Sequence, residues 1–199
     1  MADPRVHMVE IASLIYNRFL SNSAGGNISV REGERIYVSP RFMGSEYHYK
    51  ITPEQISVLD AQHNVLEGPQ DLSREVRMHL AIYDHFPEVG AVIHAHPRWL
   101  MVFAAAGRPM KPVLEFTTKF GVVECIPPSK AHTQELADNV LQVAQRRREQ
   151  LQRYALGILL PGHGIAVLGH DLNNAYDTLE RLEDNARCIL LSRLLPPEE

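Results

Sequence analysis

Two histidines, His94 and His96, stand two positions apart in the short apolar run of residues 91–96. Side chains at i and i+2 of a β-strand project to the same face, about 7 Å apart along the chain, so two imidazoles could converge on one ion. This spacing alone is equally typical of a polar strand end with two unrelated histidines. A third histidine, His163, lies between two glycines after the apolar residues 158–161, where the alternative is an exposed turn residue. Three imidazoles without thiolates match a catalytic divalent metal that keeps one position open for water or substrate.

Glu75 is the candidate acid/base. We predict that it lies in the first turn of a helix capped by Ser73, and a metal-bound substrate needs a nearby carboxylate that moves a proton. The helix dipole also favours a glutamate there, so its position alone leaves a structural role open. His79 lies four residues further on the same helical face. We expect it in the core or behind the metal ligands rather than as a fourth ligand.

A glycine-rich turn, Gly25-Gly26-Asn27, leads into the first predicted strand. Its backbone N–H groups and the Asn27 amide could bind an anion such as phosphate, although a plain β-turn has the same composition. Ser73 at a helix N-terminus would be a second phosphate contact. The planar guanidinium of Arg74 could bind a phosphate or a carboxylate, or point into solvent.

The elements that position these side chains follow from hydrophobic periodicity and from glycine and proline breaks. The predicted helices cover residues 4–20, 73–85, 97–106, 133–154 and 173–194, and the predicted strands cover residues 28–31, 35–39, 56–60, 64–66, 91–96, 157–160 and 165–168. We therefore predict one α/β domain over residues 1–199, with a mainly antiparallel central sheet covered by helices.

Composition excludes several classes of protein. Of the 199 residues, 45% are hydrophobic and 22% are charged, and the net charge of -4 comes without a long run of one sign. This argues for a globular domain and against a nucleic-acid or membrane-surface binder. The two cysteines, Cys125 and Cys188, are too few for a thiolate metal site or a disulfide framework. No stretch approaches the ~18 apolar residues of a membrane span. We expect a cytoplasmic protein with a small-molecule substrate.

Four segments, in this order, resemble the class II aldolase and adducin family. They are residues 26–31, Ser73-Arg74-Glu75 with His79, His94-Ala95-His96, and His163-Gly164. The resemblance extends over nearly the whole chain and implies the three-layer α/β fold of that family. The resemblance implies that His94, His96 and His163 bind a zinc ion and that Glu75 is the catalytic carboxylate. It also implies that Asn27 and Ser73 contact the phosphate.

The phosphate site departs from the family pattern. The family's Thr-Pro-Ser/Thr-Gly loop has no clean counterpart in residues 38–44, where Ser39 and Gly44 are the candidate stand-ins. Arg74 stands where the family often has a second serine. The substrate is therefore less well defined by the resemblance than the metal.

The resemblance implies a zinc-dependent lyase similar to the fuculose-phosphate aldolases of this family. Such an enzyme cleaves a short sugar phosphate by retro-aldol chemistry, through an enediolate that the zinc stabilises while Glu75 moves the proton. The same site could instead dehydrate or decarboxylate a sugar acid phosphate, with Arg74 as an anion contact. A third alternative is an interaction module like the adducin head, which the complete site disfavours because a scaffold needs no open metal site.

Two further expectations concern the metal and the assembly. Manganese, cobalt, nickel or iron could occupy the same three imidazoles, so zinc is favoured by the ligand type alone. The resemblance implies a homo-oligomer, a tetramer, with active sites near the subunit boundaries.

Overall fold

The computed structural model describes residues 3–196, which form eight strands and six α-helices. The strands are β1 (Asn27–Glu32), β2 (Arg35–Val38), β3 (Ser57–Leu59), β4 (Val65–Glu67), β5 (Ala91–Ala95), β6 (Glu124–Cys125), β7 (Leu156–Leu160) and β8 (Gly164–Gly169). The helices are α1 (Pro4–Asn17), α2 (Val76–His85), α3 (Leu100–Ala105), α4 (Gln134–Arg146), α5 (Arg148–Leu151) and α6 (Leu172–Leu191). Short 3-10 turns cover Pro53–Gln55, Glu115–Phe120 and Ser192–Leu194.

The strands form one sheet in the order β4-β3-β2-β1-β5-β8-β7-β6. Every neighbouring pair is antiparallel except β6 with β7, which is parallel. In the pairing of β1 with β5, Asn27 lies opposite His94, and in the pairing of β5 with β8, His94 lies opposite Ala166. Asn27, at the end of the glycine-rich turn, and the turn between β7 and β8 therefore both lie beside the C-terminal end of the central strand β5.

Helices cover both faces of the sheet, as predicted. One hydrophobic core lies between the sheet and helices α1, α3 and α6, and a second lies between the sheet and helices α2 and α4. In β5, Ile93 belongs to the first core and Val92 to the second. Because side chains alternate along a strand, His94 shares the face of Val92, on which α2 and α4 pack. The predicted α/β class, the mainly antiparallel sheet and the three layers are confirmed.

The differences from the predicted elements have local causes. The predicted helix 133–154 ends at Arg146, because Arg147 leaves helical geometry (φ -105°, ψ 19°) before the single turn of α5. The helix predicted from residue 73 begins at Val76, so Ser73 and Glu75 lie in the turn before it. Strand β6 was not predicted, because two residues are too few to show a strand periodicity.

No helix within residues 3–196 combines the length and the apolar character that crossing a bilayer requires.

Candidate active site

The three predicted metal ligands converge at the end of the central strands. His94 is the fourth residue of β5, His96 follows the end of that strand, and His163 lies in the tight turn between β7 and β8. One nitrogen of each ring lies within 4.8 Å of the others, and the Nε2 atoms of His94 and His96 are 3.2 Å apart. The turn that carries His163 was predicted, but its side chain points into the site and is only 19% exposed. The alternative for His163, an exposed turn residue, is therefore wrong.

The imidazoles are in a state that suits metal binding. A carbonyl oxygen can only accept a hydrogen bond, so Nδ1 of His94 donates to the Ile165 carbonyl at 3.0 Å and its Nε2 keeps a lone pair. Burial, and then the neighbouring His96 and His163, hold the pKa of His94 well below its usual range. Burial lowers the pKa of His96 to about 4. Neutral rings whose lone pairs face one another fit a divalent cation, because a ligand must be deprotonated.

Gly164 permits this convergence. A Cβ atom at Gly164 would lie 2.4 Å from the Ala95 carbonyl oxygen and 2.7 Å from Cδ2 of His96. Neither the backbone of β5 nor the buried imidazole could give way by that amount. The glycine in the pair His163-Gly164 is therefore required by the close approach of β8 to the two other histidines.

Glu75 faces the three histidines. It occupies the N-cap position of α2 rather than the predicted first turn, and its backbone N–H donates to the Ser73 hydroxyl at 3.3 Å. The residue is 5% exposed, and its Oε1 atom lies 4.0 Å from Nε2 of His163. The same oxygen is in contact with Nδ1 of His132. A buried carboxylate beside three imidazoles is placed to exchange a proton with a molecule held between them.

The predicted anion contacts line the same cleft. The Asn27 amide nitrogen donates to the Ser73 hydroxyl at 3.3 Å, which joins the glycine-rich turn to the start of α2. Gly26 has φ +115°, and a Cβ there would fall 2.1 Å from the Tyr49 hydroxyl, so only glycine fits. Arg74 is exposed at the rim of the cleft. All four predicted anion-binding residues therefore border the cleft that holds the histidines.

The open cleft has about 540 Å³ of space, including the part that faces solvent. Its lining residues are Ala24, Gly25, Gly26, Asn27, Arg41, Phe42, Met43, Gly44, Ser45, Ser73, Arg74, Glu75, His94, His96, His132 and His163. Of the two candidate stand-ins for the phosphate loop, only Gly44 is among them. Ser39 is buried, and its hydroxyl accepts a hydrogen bond from the Ile28 N–H at 2.9 Å. The expectation for Ser39 was wrong.

Three polar residues of the cleft were not predicted as site residues. Arg41, Ser45 and His132 come from loops whose path depends on the rest of the fold. Arg41 donates to both carboxylate oxygens of Asp71 at 2.7 Å. The sequence signal for His132 was slight: it is one of 10 histidines and directly precedes the N-cap of α4, Thr133.

His79 lies behind the site, as expected. It is fully buried on α2, and its Nδ1 pairs with the Ser29 hydroxyl at 2.7 Å. Burial lowers the pKa of His79 to about 3, so the ring is neutral.

The loop that follows His96 is anchored from behind by Glu183 of α6. The Glu183 carboxylate accepts hydrogen bonds from the backbone N–H groups of Trp99 at 2.7 Å and Leu100 at 2.8 Å. These donors lie at the start of α3, where a helix has unsatisfied N–H groups. Burial raises the pKa of Glu183 from 4.5 to about 7.

Glu183 should make the stability of the fold depend on pH. Its pKa is higher in the folded than in the unfolded chain, so its stabilising contribution is complete below about pH 4.5 and is lost as the pH rises through about 7. At about 1.4 kcal/mol per pKa unit, the loss is about 3 kcal/mol. Urea unfolding of metal-free protein at pH 5, 6, 7 and 8 measures it.

The matched variant Glu183→Gln separates this contribution from the buried histidines, whose lowered pKa values act in the opposite direction. The glutamine keeps an acceptor for the α3 N–H groups but does not titrate. The difference in free energy of unfolding between wild type and variant should therefore become less favourable to the wild type from pH 5 to pH 8. A difference that stays constant over this range would contradict the assignment.

The chain resembles known proteins along most of its length. The family model for the class II aldolase and adducin N-terminal domain matches residues 6–190. An L-fuculose phosphate aldolase of Methanococcus maripaludis is 31% identical over 183 residues, which cover 90% of this chain and 92% of that protein. A 3-oxo-tetronate 4-phosphate decarboxylase of Haemophilus influenzae is 31% identical over 190 residues, covering 90% of this chain and 83% of that protein.

A solved structure shows the same fold. An L-fuculose 1-phosphate aldolase superposes with a TM-score of 0.83 at 26% identity, over 100% of this chain and 90% of that chain. Together with the family match and the sequence relatives, this establishes that the chain belongs to the class II aldolase and adducin family.

Proposed function

We propose that this chain is a metal-dependent lyase that cleaves a short sugar phosphate by retro-aldol chemistry. The observation that carries the proposal is the convergence of three neutral imidazoles and one buried carboxylate, Glu75, in one cleft. The similarity to L-fuculose phosphate aldolases along about nine-tenths of the chain supports it. The alternative of a scaffold without turnover is disfavoured, because a scaffold has no need for a buried carboxylate beside an open metal site.

The proposed ligands of the metal are His94, His96 and His163, and the proposed metal is zinc. An all-imidazole set of three ligands suits catalytic zinc and leaves a further coordination position open. When bound, the ion would place positive charge beside the carbonyl and hydroxyl oxygens next to the bond that breaks. The relevant nitrogens already lie within 4.8 Å of one another, and those of His94 and His96 are 3.2 Å apart.

Glu75 is assigned the proton transfer. In retro-aldol cleavage the hydroxyl on the leaving carbon loses its proton as that carbon becomes an aldehyde, and a proton is returned to the carbon of the other fragment. Glu75 is the only carboxylate among the residues that the structure shows lining the cleft. Its burial keeps bulk water from competing with the substrate for the proton.

The phosphate is assigned to the part of the cleft that the glycine-rich turn and the turn before α2 line. There the Gly26 backbone, the Asn27 amide, the Ser73 hydroxyl and the Arg74 guanidinium all border the same space. Neutral donors would orient the phosphate oxygens, and the guanidinium would balance their charge. Binding the remote phosphate holds the breaking bond beside Glu75 and the metal, which lowers the entropic part of the barrier.

A product analysis tests the proposal. Zinc-loaded wild type is incubated with ketose 1-phosphates, including L-fuculose 1-phosphate and 5-deoxy-D-ribulose 1-phosphate, and the carbon-containing products are identified. We expect one of them to be split into an aldehyde and a phosphorylated fragment in equal amounts. An intact carbon skeleton after turnover would contradict retro-aldol cleavage.

A second candidate function is decarboxylation of a sugar acid phosphate on the same residues. Two guanidinium groups, those of Arg41 and Arg74, line one cleft, which could bind a phosphate and a carboxylate of the same substrate. The relative from Haemophilus influenzae has this kind of activity in its name. Release of carbon dioxide from 3-oxo-tetronate 4-phosphate, without an aldehyde, would favour this candidate.

A homotetramer and a cytoplasmic location are also part of the proposal. Contact between copies of the chain would bury exposed apolar side chains such as those of Val102, Val113 and Phe116. The free thiols of Cys125 and Cys188 agree with a reducing compartment. Light scattering of the purified protein measures the number of copies.

A further inference from the structure

We propose that His132 is a positioning residue that holds the Glu75 carboxylate toward the three histidines. The inference rests on the proposed function of Glu75 as the group that moves the proton. It begins from the contact between Nδ1 of His132 and Oε1 of Glu75, two residues that are 57 positions apart in the chain.

Glu75 has few other means of being held in place. Both of its carboxylate oxygens are buried, and apart from the contact of Oε1 with Nδ1 of His132 neither has a polar partner at hydrogen-bond distance among residues 3–196. The other nearby cationic or imidazole nitrogen is Nε2 of His163, at 4.0 Å, and that ring faces the proposed metal. His132 is therefore the group that can fix which way the carboxylate points. A buried carboxylate that gains a donor is oriented as well as stabilised.

The backbone at His132 supports a specific role for its side chain. His132 has φ +67°, in the left-handed region, where a residue with a side chain costs roughly 1–2 kcal/mol relative to the right-handed region. Glycine would adopt this conformation without that cost. The backbone conformation at position 132 thus favours glycine over histidine. The histidine ring offsets this cost through its contact with Glu75.

The loop that carries His132 is well anchored. The Thr133 hydroxyl donates to the Lys130 carbonyl at 2.6 Å and accepts from the Leu136 N–H at 3.3 Å, which caps α4. The Asn139 amide donates to the Ser129 hydroxyl at 2.8 Å. The loop is therefore hydrogen-bonded to α4 on both sides of His132, and these bonds keep the ring beside Glu75.

The test compares two glycine variants. His132→Gly removes the ring and relieves the left-handed backbone, so the variant should fold. The control is His63→Gly, because His63 also has a left-handed backbone (φ +68°) and also contacts a carboxylate, Asp84, at 3.1 Å, but lies outside the cleft lining. We expect His132→Gly to lower kcat about 10- to 100-fold with KM within twofold and metal content unchanged. His63→Gly should leave both kinetic constants unchanged.

Rescue separates positioning from simple loss of structure. In His132→Asn the side-chain amide can replace the donor at Nδ1, and asparagine tolerates the left-handed backbone. This variant should recover most of the kcat lost in His132→Gly. An unchanged kcat in His132→Gly would overturn the proposal. A raised KM with normal kcat would overturn it in favour of a direct contact between His132 and the substrate.

A nuclear magnetic resonance measurement keeps the test independent of the assumed activity. In zinc-loaded wild type with ¹⁵N-labelled histidine, Nδ1 of His132 should carry the proton, and Glu75→Ala should change that signal while the signal of the exposed His85 stays the same. If the wild type cleaved no sugar phosphate, the proposed function would be wrong, but the response of the His132 signal to Glu75→Ala would still test the contact between His132 and Glu75. An unresponsive His132 signal would sink the positioning role whatever the activity.

Discussion

Glu75→Gln should lower kcat for sugar-phosphate cleavage by about 10³-fold, because an amide has the size of the carboxylate but cannot take up and return a proton. The substitution is nearly isosteric at a site that is 5% exposed, so neither a cavity nor a clash should follow. Nor does it remove any of the three proposed metal ligands. The expected result is a folded, metal-loaded protein that binds substrate but turns it over slowly.

The measurement is kcat and KM for the substrate found in the product analysis, with metal content determined on the same preparation. Glu54→Gln is the matched control, because Glu54 is also a glutamate at the start of a short helical segment but lies outside the cleft lining. It should behave like wild type. If Glu75→Gln carried its normal complement of metal and kept full activity, the acid/base assignment would be wrong.

His96→Ala should lose both the metal and the activity. In the wild type we expect about one zinc per chain after purification without chelator. Removing one of three imidazoles leaves only His94 and His163, and the void beside them admits water in place of a ligand. We expect less than about one-tenth of the wild-type metal content and a fall in activity of at least about 10³-fold.

Elemental analysis of the two proteins, purified side by side, is the direct measurement. Thermal unfolding with and without EDTA gives a second one, since a ligand at 1,000 times its Kd stabilises the folded state by about 4 kcal/mol. EDTA should lower the Tm of wild type and leave that of His96→Ala unchanged. His85→Ala, which removes an exposed histidine at the end of α2, is the control. Folded wild type that takes up no zinc when zinc is offered would refute the metal centre.

Local patterns in the sequence were sufficient for the framework of the site. The spacing of His94 and His96 predicts two imidazoles on one face of a strand, because side chains alternate, and in the structure His96 directly follows the last residue of β5. The apolar runs of β5, β7 and β8 are buried on both faces, and their sequences show it directly. Seven of the eight strands and the main helices were therefore predictable from short windows of sequence.

Element boundaries were less predictable, because they depend on contacts outside the window. Serine and glutamate at positions 73 and 75 are typical of a helix start, yet α2 begins at Val76. The Ser73 hydroxyl accepts from the Asn27 amide as well as from the Glu75 N–H. The hydrogen bond from Asn27 is made by a residue far away in the chain, so a short window of sequence around the start of α2 does not reveal it.

The residue types that could bind a metal, move a proton and hold an anion, and the elements on which most of them lie, were predictable from the amino-acid sequence. The inward orientation of His163, the burial of Ser39 and the contact of His132 with Glu75 became apparent only in the folded chain. These features lie in or beside loops, and a loop has no periodicity of its own. Its path is determined by hydrogen bonds and packing with distant segments, and at His132 it includes a left-handed backbone that local preference alone would not select.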